Sequence, residues 1–158
     1  LKMLYQISSQ DIKKDFEKLK DIKKEFYLWE CKKDPKLRVE FANKNLGIRL
    51  GKNLRQNNVS FFIAIEKGEI IAYSGGEIEI NPPTHKEKFK GHLFNLYVKP
   101  DYRKKGIGKK LILKILHWFK KNKIKEIELY TKADNIKAQS LYKKNGFNDY
   151  YLKLEKRI

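Results

Sequence analysis

The second half of the chain places the strongest constraint on the fold, because short apolar runs alternate there with amphipathic helical spacing. An apolar strand is predicted over 92–98, a helix over 106–122 and a further strand over 124–131. Two strands separated by such a helix form a parallel pair with a crossover connection. A short helix over 135–144 and a terminal strand region over 146–154 are predicted to follow.

The start of the chain is predicted to form a strand over 1–8, and either Ser8 or Ser9 could cap the helix that follows. That helix is expected over 10–31. Its buried face is marked by apolar residues at steps of three and four: Ile12, Phe16, Leu19, Ile22, Phe26 and Trp29.

The middle of the chain is predicted to hold a second helical stretch and a hairpin. The helical stretch runs over 37–54 and is expected to bend near Gly47 and Gly51. The hairpin turns at residues 66–69, where Gly68 can supply a positive φ angle, and its second arm is expected to continue to Ile80.

The composition favours one globular domain spanning residues 1–158, with 41% hydrophobic and 35% charged residues. No apolar run is long enough to cross a membrane, and residues 1–10 lack the pattern of a secretory signal. We therefore expect a soluble, cytoplasmic protein. The single cysteine, Cys31, cannot form an internal disulfide, and the three histidines show no metal-ligand spacing, so no metal is expected.

The net charge of +18 attracts polyanions such as nucleic acid, acidic membranes or a phosphate-bearing cofactor. A lysine-rich proteome or a thermophile surface would give the same charge. The basic residues are spread along the whole chain and are not clustered with aromatic residues. The sequence therefore favours neither a nucleic-acid nor a membrane partner.

The turn Arg103-Lys104-Lys105-Gly106-Ile107-Gly108 joins the predicted strand to the predicted helix. Glycines at a helix start let the backbone approach a ligand, and the unpaired N–H groups there attract phosphate. Lys104, Lys105 and Lys109 would add positive charge. The turn does not fit the P-loop, and it lacks the third glycine of the dinucleotide fingerprint.

This turn, with the strand before it ending Val-x-Pro-x-Tyr, resembles the R/Q-x-x-G-x-G/A motif of the GNAT superfamily of N-acetyltransferases. The family's second signature is resembled by Asn135, Ala138, Ser140, Leu141, Tyr142 and the residues up to Gly146-Phe147. The resemblance implies a single-domain α/β (α+β) fold, in which a mixed central sheet of about six to seven strands is flanked by about four helices.

The resemblance also assigns residues to the donor, acetyl-coenzyme A. The end of the strand would hold the pantetheine arm and orient the acetyl carbonyl, through Leu96, Tyr97 and Val98. The turn would bind the pyrophosphate, through Arg103, Lys104, Lys105, Gly106, Ile107, Gly108 and Lys109. Asn135 matches the position that hydrogen-bonds the cofactor arm, and an N-cap for the short helix is an equally good interpretation.

For catalysis, the resemblance places Tyr142 as the general acid at the coenzyme sulfur, with a core tyrosine as the alternative. His92 aligns with the family's base at the strand start, although it could be a partly exposed histidine of no catalytic role. Glu77 and Glu79 are rival bases or substrate-binding residues. His85 and His117 are expected on the surface, and Cys31 lies outside both signatures.

The function implied is acetyl transfer from acetyl-coenzyme A to a primary amine by direct attack in a ternary complex. The amine could belong to a small molecule, a peptide N-terminus or a lysine, and a homodimer is left open. The strongly basic surface disfavours a polycationic acceptor unless Glu77 and Glu79 form a local pocket. The alternative is a non-catalytic module that binds acyl-coenzyme A or associates with nucleic acid.

Overall fold

The computed structural model describes residues 3–6 and 12–158, and these residues form one five-stranded sheet with helices on both faces. The strands are β1 (Met3–Gln6), β2 (Val59–Glu66), β3 (Glu69–Ile80), β4 (Phe89–Val98) and β5 (Ile127–Glu128). The helices are α1 (Ile12–Cys31), α2 (Phe41–Lys44), α3 (Leu46–Leu54), α4 (Ile107–Lys121) and α5 (Ile136–Lys143). A single 3₁₀ turn, Pro100–Tyr102, follows β4.

The strands lie side by side in chain order, β1-β2-β3-β4-β5. The first four pair antiparallel, whereas β4 and β5 are parallel and are joined through α4. The predicted parallel pair is thus confirmed. The predicted hairpin is also confirmed, and both of its turn residues, Lys67 (φ 50°) and Gly68 (φ 80°), are left-handed. Two positive φ angles match the right-handed twist of the flanking strands.

The two faces of the sheet bury separate clusters, because successive strand residues point to opposite sides. One cluster packs under α1 and α3 and consists of Leu19, Ile22, Leu50, Phe61, Ile63, Ile70, Tyr73 and Tyr97. The other packs under α4 and consists of Phe62, Ala64, Ile71, Ala72, Leu93, Ile107, Leu111, Ile115 and Phe119. None of the helices formed by residues 12–158 is long and apolar enough to cross a membrane.

The expected six to seven strands are not confirmed, since the described residues form five strands, and they form five α-helices rather than four. The predicted terminal strand over 146–154 is wrong: residues 147–158 have no regular structure. The predicted strand over 124–131 shrinks to Ile127–Glu128. A strand needs a neighbouring edge for its hydrogen bonds, and a two-residue β5 offers very little of one.

The second helical stretch is divided into two helices at Asn45, two residues before Gly47. Gly47 and Gly51 lie inside α3, where a Cβ atom on Gly47 would stand 3.1 Å from Lys20 and one on Gly51 3.7 Å from Phe16. These glycines therefore let α3 pack closely against α1. The described part of the first helix agrees with the prediction, whereas Ser8 and Ser9, proposed as its cap, lie outside the described residues.

Candidate functional site

The pairing of the two parallel strands stops after two positions, and the unpaired stretch between them beyond that point is called the cleft. They pair only at Gly91 with Ile127 and at His92 with Glu128. Beyond these two pairs, and within the described part of the chain, β4 has no strand partner on that side. The edge of residues 93–98 therefore offers backbone N–H and C=O groups that a ligand can pair with.

A β-bulge distorts β4 beside this open edge. Asn95 has a φ of 49°, and the pairing with β3 shifts between Tyr73 and Gly75. An extra residue in one strand re-aims the side chains that follow it. After the bulge Leu96 and Val98 pack toward the α4 side, while the side chain of Tyr97 is buried under α1.

The turn after β4 leads into the start of α4, which no side chain caps and which lies at the same end of the cleft. Gly106 precedes α4 with a φ of 76°, and no side chain caps the helix. An alanine at this position would be strained, because its Cβ disfavours a left-handed backbone. Ile107, the first helical residue, is buried in the core under α4. The free N–H groups of the first turn are thus fixed in place, and they form an anion-binding end of the helix.

Arg103 braces this turn. Its Nε donates a hydrogen bond of 2.9 Å to the carbonyl oxygen of Val98, and its guanidinium lies 5.4 Å from the Trp29 ring centre and 5.7 Å from that of Tyr97. Lys105 donates to the Asp101 carbonyl oxygen at 2.9 Å. These contacts anchor the turn to β4 and to α1.

The exposed side chains of Lys104 and Lys109 extend from either side of Gly106. Lys104 is itself left-handed, with a φ of 59°. A cationic side chain on each side of an uncapped helix start increases the attraction for a phosphate group.

The two sequence signatures meet at Gly108. A Cβ atom there would lie 3.4 Å from Leu141, 3.8 Å from Val98 and 3.9 Å from Leu96. Its small size therefore lets α4 pack against both β4 and α5. Asn135 caps α5 by accepting a hydrogen bond from the Ala138 backbone N–H at 3.3 Å. The N-cap interpretation is confirmed, and it leaves the amide nitrogen of Asn135 for a ligand.

Tyr142 lies on α5 next to Leu141 and is 9% exposed. Its ring meets that of Phe147 edge-on, with the centres 6.0 Å apart. Among the residues that the structure describes, its hydroxyl makes no hydrogen bond. Burial raises the pKa of Tyr142 to about 12, which keeps the phenol protonated near neutral pH.

His92 is oriented by Glu79. Its Nδ1 lies 3.1 Å from Oε1 of Glu79, and an ionised carboxylate can only accept a hydrogen bond. The proton is thereby assigned to Nδ1, and the lone pair of Nε2 is left to accept a proton from another group. The imidazole also contacts the rings of Phe94 and Tyr130 edge-on, at 6.1 and 5.4 Å.

Charged side chains on three neighbouring strands surround His92. Lys90 lies 3.6 Å from Glu79 and 2.5 Å from Glu128, and Glu77 is the residue directly opposite His92 on β3. Glu79 therefore supports the imidazole and pairs with an ammonium at the same time. Glu77 accepts from Asn58 at 3.5 Å.

Sequence reasoning missed a buried lysine beside the bulge. Lys23 of α1 is 8% exposed, and its Nζ lies 3.4 Å from Oδ1 of Asn95. Desolvation lowers the pKa of Lys23 to about 8. The positive charge of Arg49 lowers this pKa further by a smaller amount, whereas the negative charge of Glu30 raises it. One signal was present: Lys23 follows Leu19 by four residues and so lies on the predicted buried face.

A second missed contact joins α1 to the end of β4. The hydroxyl of Tyr97 donates to Glu25 at 2.8 Å, and Lys99 lies 3.7 Å from the same carboxylate. Burial first, and then the bond to Glu25, raise the pKa of Tyr97 to about 12. No local sequence pattern indicates this long-range pair.

The remaining candidates are two histidines and a cysteine. His85 and His117 are exposed, as expected, and Cys31 carries a free thiol on α1. Over the part of the chain that the structure describes, no three His, Cys, Asp or Glu side chains could hold a metal together.

The chain has clear relatives. Residues 16–147 match the acetyltransferase (GNAT) family. Spermidine N(1)-acetyltransferase of Thermoplasma acidophilum is 45% identical over 58 residues, or 37% of this chain and 36% of that protein. The ribosomal protein bS18-alanine N-acetyltransferase of Escherichia coli strain K12 is 27% identical over 88 residues, or 56% of this chain and 54% of that protein. The chain thus spans about a third to a half of these two relatives.

A solved structure shows the same fold along nearly the whole chain. The crystal structure of a predicted acetyltransferase from Clostridium acetobutylicum, determined with acetyl-CoA, superposes with a TM-score of 0.75 at 24% identity. The match covers 98% of this chain and 96% of that chain.

Proposed function

Because the chain belongs to the acetyltransferase (GNAT) family, we propose that residues 1–158 form a domain that transfers an acetyl group from acetyl-coenzyme A to a primary amine. The transfer takes place by direct attack in a ternary complex, in the cytoplasm, where acetyl-coenzyme A is available. No metal takes part in it.

One observation carries this proposal: the open edge of β4 ends beside the uncapped start of α4. The pantetheine arm pairs with the backbone of Leu96, Tyr97 and Val98, and the pyrophosphate binds the N–H groups that follow Gly106. Lys104, Lys105 and Lys109 add positive charge, and Arg103 holds the turn in place. The free amide nitrogen of Asn135 donates to the arm.

His92 is the base in this mechanism. Its Nε2 takes a proton from the substrate ammonium, directly or through one water, and Glu79 stabilises the imidazolium through Nδ1. The neutral amine then attacks the thioester carbonyl carbon. Tyr142 is protonated at neutral pH, and it donates its proton to the departing thiolate.

The acceptor is a primary amine that approaches from the side of α1, where His92 lies. The relatives differ in the acceptor that their names give, spermidine in one and an alanine of a ribosomal protein in the other. The net charge of +18 disfavours a polycation such as spermidine. We therefore favour a neutral or acidic amine or a peptide N-terminus, whose ammonium group is bound near Glu77 and Glu79.

The test measures free thiol released from acetyl-coenzyme A against a panel of peptides, lysine derivatives and small amines. We expect Tyr142→Phe and His92→Ala each to lower turnover by about a hundredfold or more. Tyr151→Phe and His117→Ala alter exposed residues that have no role in the proposed mechanism, and they serve as matched controls that retain full turnover.

The proposal fails if the wild-type chain binds acetyl-coenzyme A but acetylates nothing in a broad panel, which would support a sensor of acyl-coenzyme A instead. Steeply salt-dependent binding of DNA or RNA, without thiol release, would favour a nucleic-acid-associated module.

A further inference from the structure

An aromatic cage encloses the amine of Lys23. Its Nζ lies 5.1 Å from the ring centre of Phe61, 5.2 Å from that of Tyr73 and 6.0 Å from that of Phe94. These rings belong to three adjacent strands, β2, β3 and β4, and α1 supplies the lysine from above the sheet. Rings can hold an ammonium, but they do not replace the water that it loses on burial.

Among the described residues, the cage has no carboxylate for this ammonium. The hydrogen-bond partner of Nζ, the side-chain oxygen of Asn95, is neutral, and no acidic group in the described residues lies within ion-pair distance of Nζ. The charge of Arg49 acts against the ammonium, and the more distant Glu30 only partly offsets it. A buried lysine without an anionic partner holds its proton weakly.

The result is an amine with an unusually large neutral fraction at pH 7. With a pKa of about 8, roughly a tenth of the Lys23 side chains are neutral at pH 7, whereas for an ordinary exposed lysine the neutral fraction is below about a thousandth. Only the neutral form has a lone pair that can attack a thioester.

The position of this amine matters as much as its protonation. Asn95 is the bulged residue of β4, directly before Leu96 and Tyr97, whose backbone holds the pantetheine arm in the proposed function. Lys23 also lies on the same face of the sheet as Phe94 and His92, which is the face that the acceptor approaches. An amine of the protein itself therefore lies next to the bulge of β4, on the face of the sheet that the acceptor approaches.

We propose that Lys23 is itself an acetyl acceptor, so that the enzyme acetylates its own buried amine when no substrate amine is bound. The inference rests on the proposed function for its donor. The Nζ lone pair attacks the thioester carbonyl carbon, a C–N bond forms, and the C–S bond breaks. The electron pair leaves on sulfur, and the proton lost from Nζ completes the thiol of coenzyme A. The products are N-acetyl-lysine and free coenzyme A.

Acetylation also relieves the electrostatic cost of this site. The amide product is neutral, so the uncompensated positive charge inside the aromatic cage disappears. A lysine kept only for its packing between the rings would stay unmodified.

The experiment incubates the full chain with acetyl-coenzyme A and no amine, and follows each lysine by mass spectrometry of peptides cut at glutamate. We expect Lys23 to be acetylated at least tenfold faster than its half-exposed neighbour Lys24. The rate constant should not change on tenfold dilution of the protein, because the transfer occurs within one molecule. The Lys23→Arg variant should lose the modification, and Lys24→Arg should keep it.

Two controls separate this reaction from simple chemical acetylation. The chain unfolded in urea should lose the preference for Lys23, and coenzyme A without an acetyl group should modify nothing. An unmodified Lys23, an equal rate in urea, or a rate constant that rises with protein concentration overturns the inference. Thiol release with the amine panel tests the proposed function separately. A chain that acetylates added amines but leaves Lys23 unmodified therefore contradicts this inference and not the proposed function.

Discussion

The lowered pKa of Lys23 should make the free energy of unfolding depend on pH. Its pKa is about 8 in the folded chain against an ordinary 10.5, so between these values the unfolded chain binds a proton that the folded chain does not. The free energy of unfolding therefore rises with pH through this window. The total rise in the free energy of unfolding is roughly 3 kcal/mol; it begins near pH 8 and is complete above about pH 10.5.

The measurement is urea unfolding of the wild type and of Lys23→Met at pH 7 to 10. We expect the variant to be the more stable protein at pH 7 and to lack the rise. Tyr73 of β3, Glu30 of α1 and Arg49 of α3 face the same amine. They are unchanged in the variant, so the difference between the two curves isolates Lys23. Parallel curves would contradict the shift, and Lys24→Met is the matched control.

The sequence could predict those site residues whose role depends on local geometry. Gly106 is predicted because a glycine at a helix start lets the backbone approach a ligand, and the structure gives it a left-handed φ. Asn135 is predicted from the second family signature, and its interpretation as an N-cap depends only on the next three residues. The placing of Lys23 against Asn95 could not be found in this way. That contact joins residues 72 positions apart and depends on how α1 crosses the sheet.

At the scale of the elements, α5 offers a way to separate stability from binding. Asn135→Ala removes the N-cap and should cost about 1 kcal/mol of stability, while Asn135→Ser keeps a capping oxygen and should cost much less. Serine cannot replace the amide N–H₂, so under the proposed function it should still weaken binding of acetyl-coenzyme A.

Urea unfolding and calorimetric titration with acetyl-coenzyme A measure the two effects on the same samples. A serine variant that binds as tightly as the wild type would leave Asn135 with a capping role alone. Ser140→Ala changes an exposed residue of the same helix and should alter neither quantity.

Element types were more predictable than element limits. The long amphipathic periods gave α1 and α4 nearly to the residue. The apolar residues around 124–131 and 146–154 predict strands that the structure shortens or lacks. A strand exists only where a neighbouring backbone pairs with it. In the structure α4 leads into a β5 of two residues, and Tyr150, Tyr151, Leu152 and Leu154 remain exposed.

At the scale of the whole molecule, the charge of +18 should act on the donor. Acetyl-coenzyme A carries several negative charges, so its affinity should fall several-fold when the ionic strength rises from about 0.05 to 0.5 M, as the screening length shortens. S-acetylpantetheine lacks the phosphates, and its affinity should hardly change. Equal salt dependence for both ligands, measured by titration, would show that the phosphates do not meet the basic surface.

The order of the strands also dictates how the sheet can be assembled. The strands β2, β3 and β4 follow each other through short connections, so their pairing closes only small loops. Each outer strand attaches across a helical excursion, β1 over α1 to α3 and β5 over α4, and closing these longer loops costs more chain entropy. We therefore expect β2, β3 and β4 to pair with one another first. The site between β4 and β5 is then completed only when β5 pairs with β4.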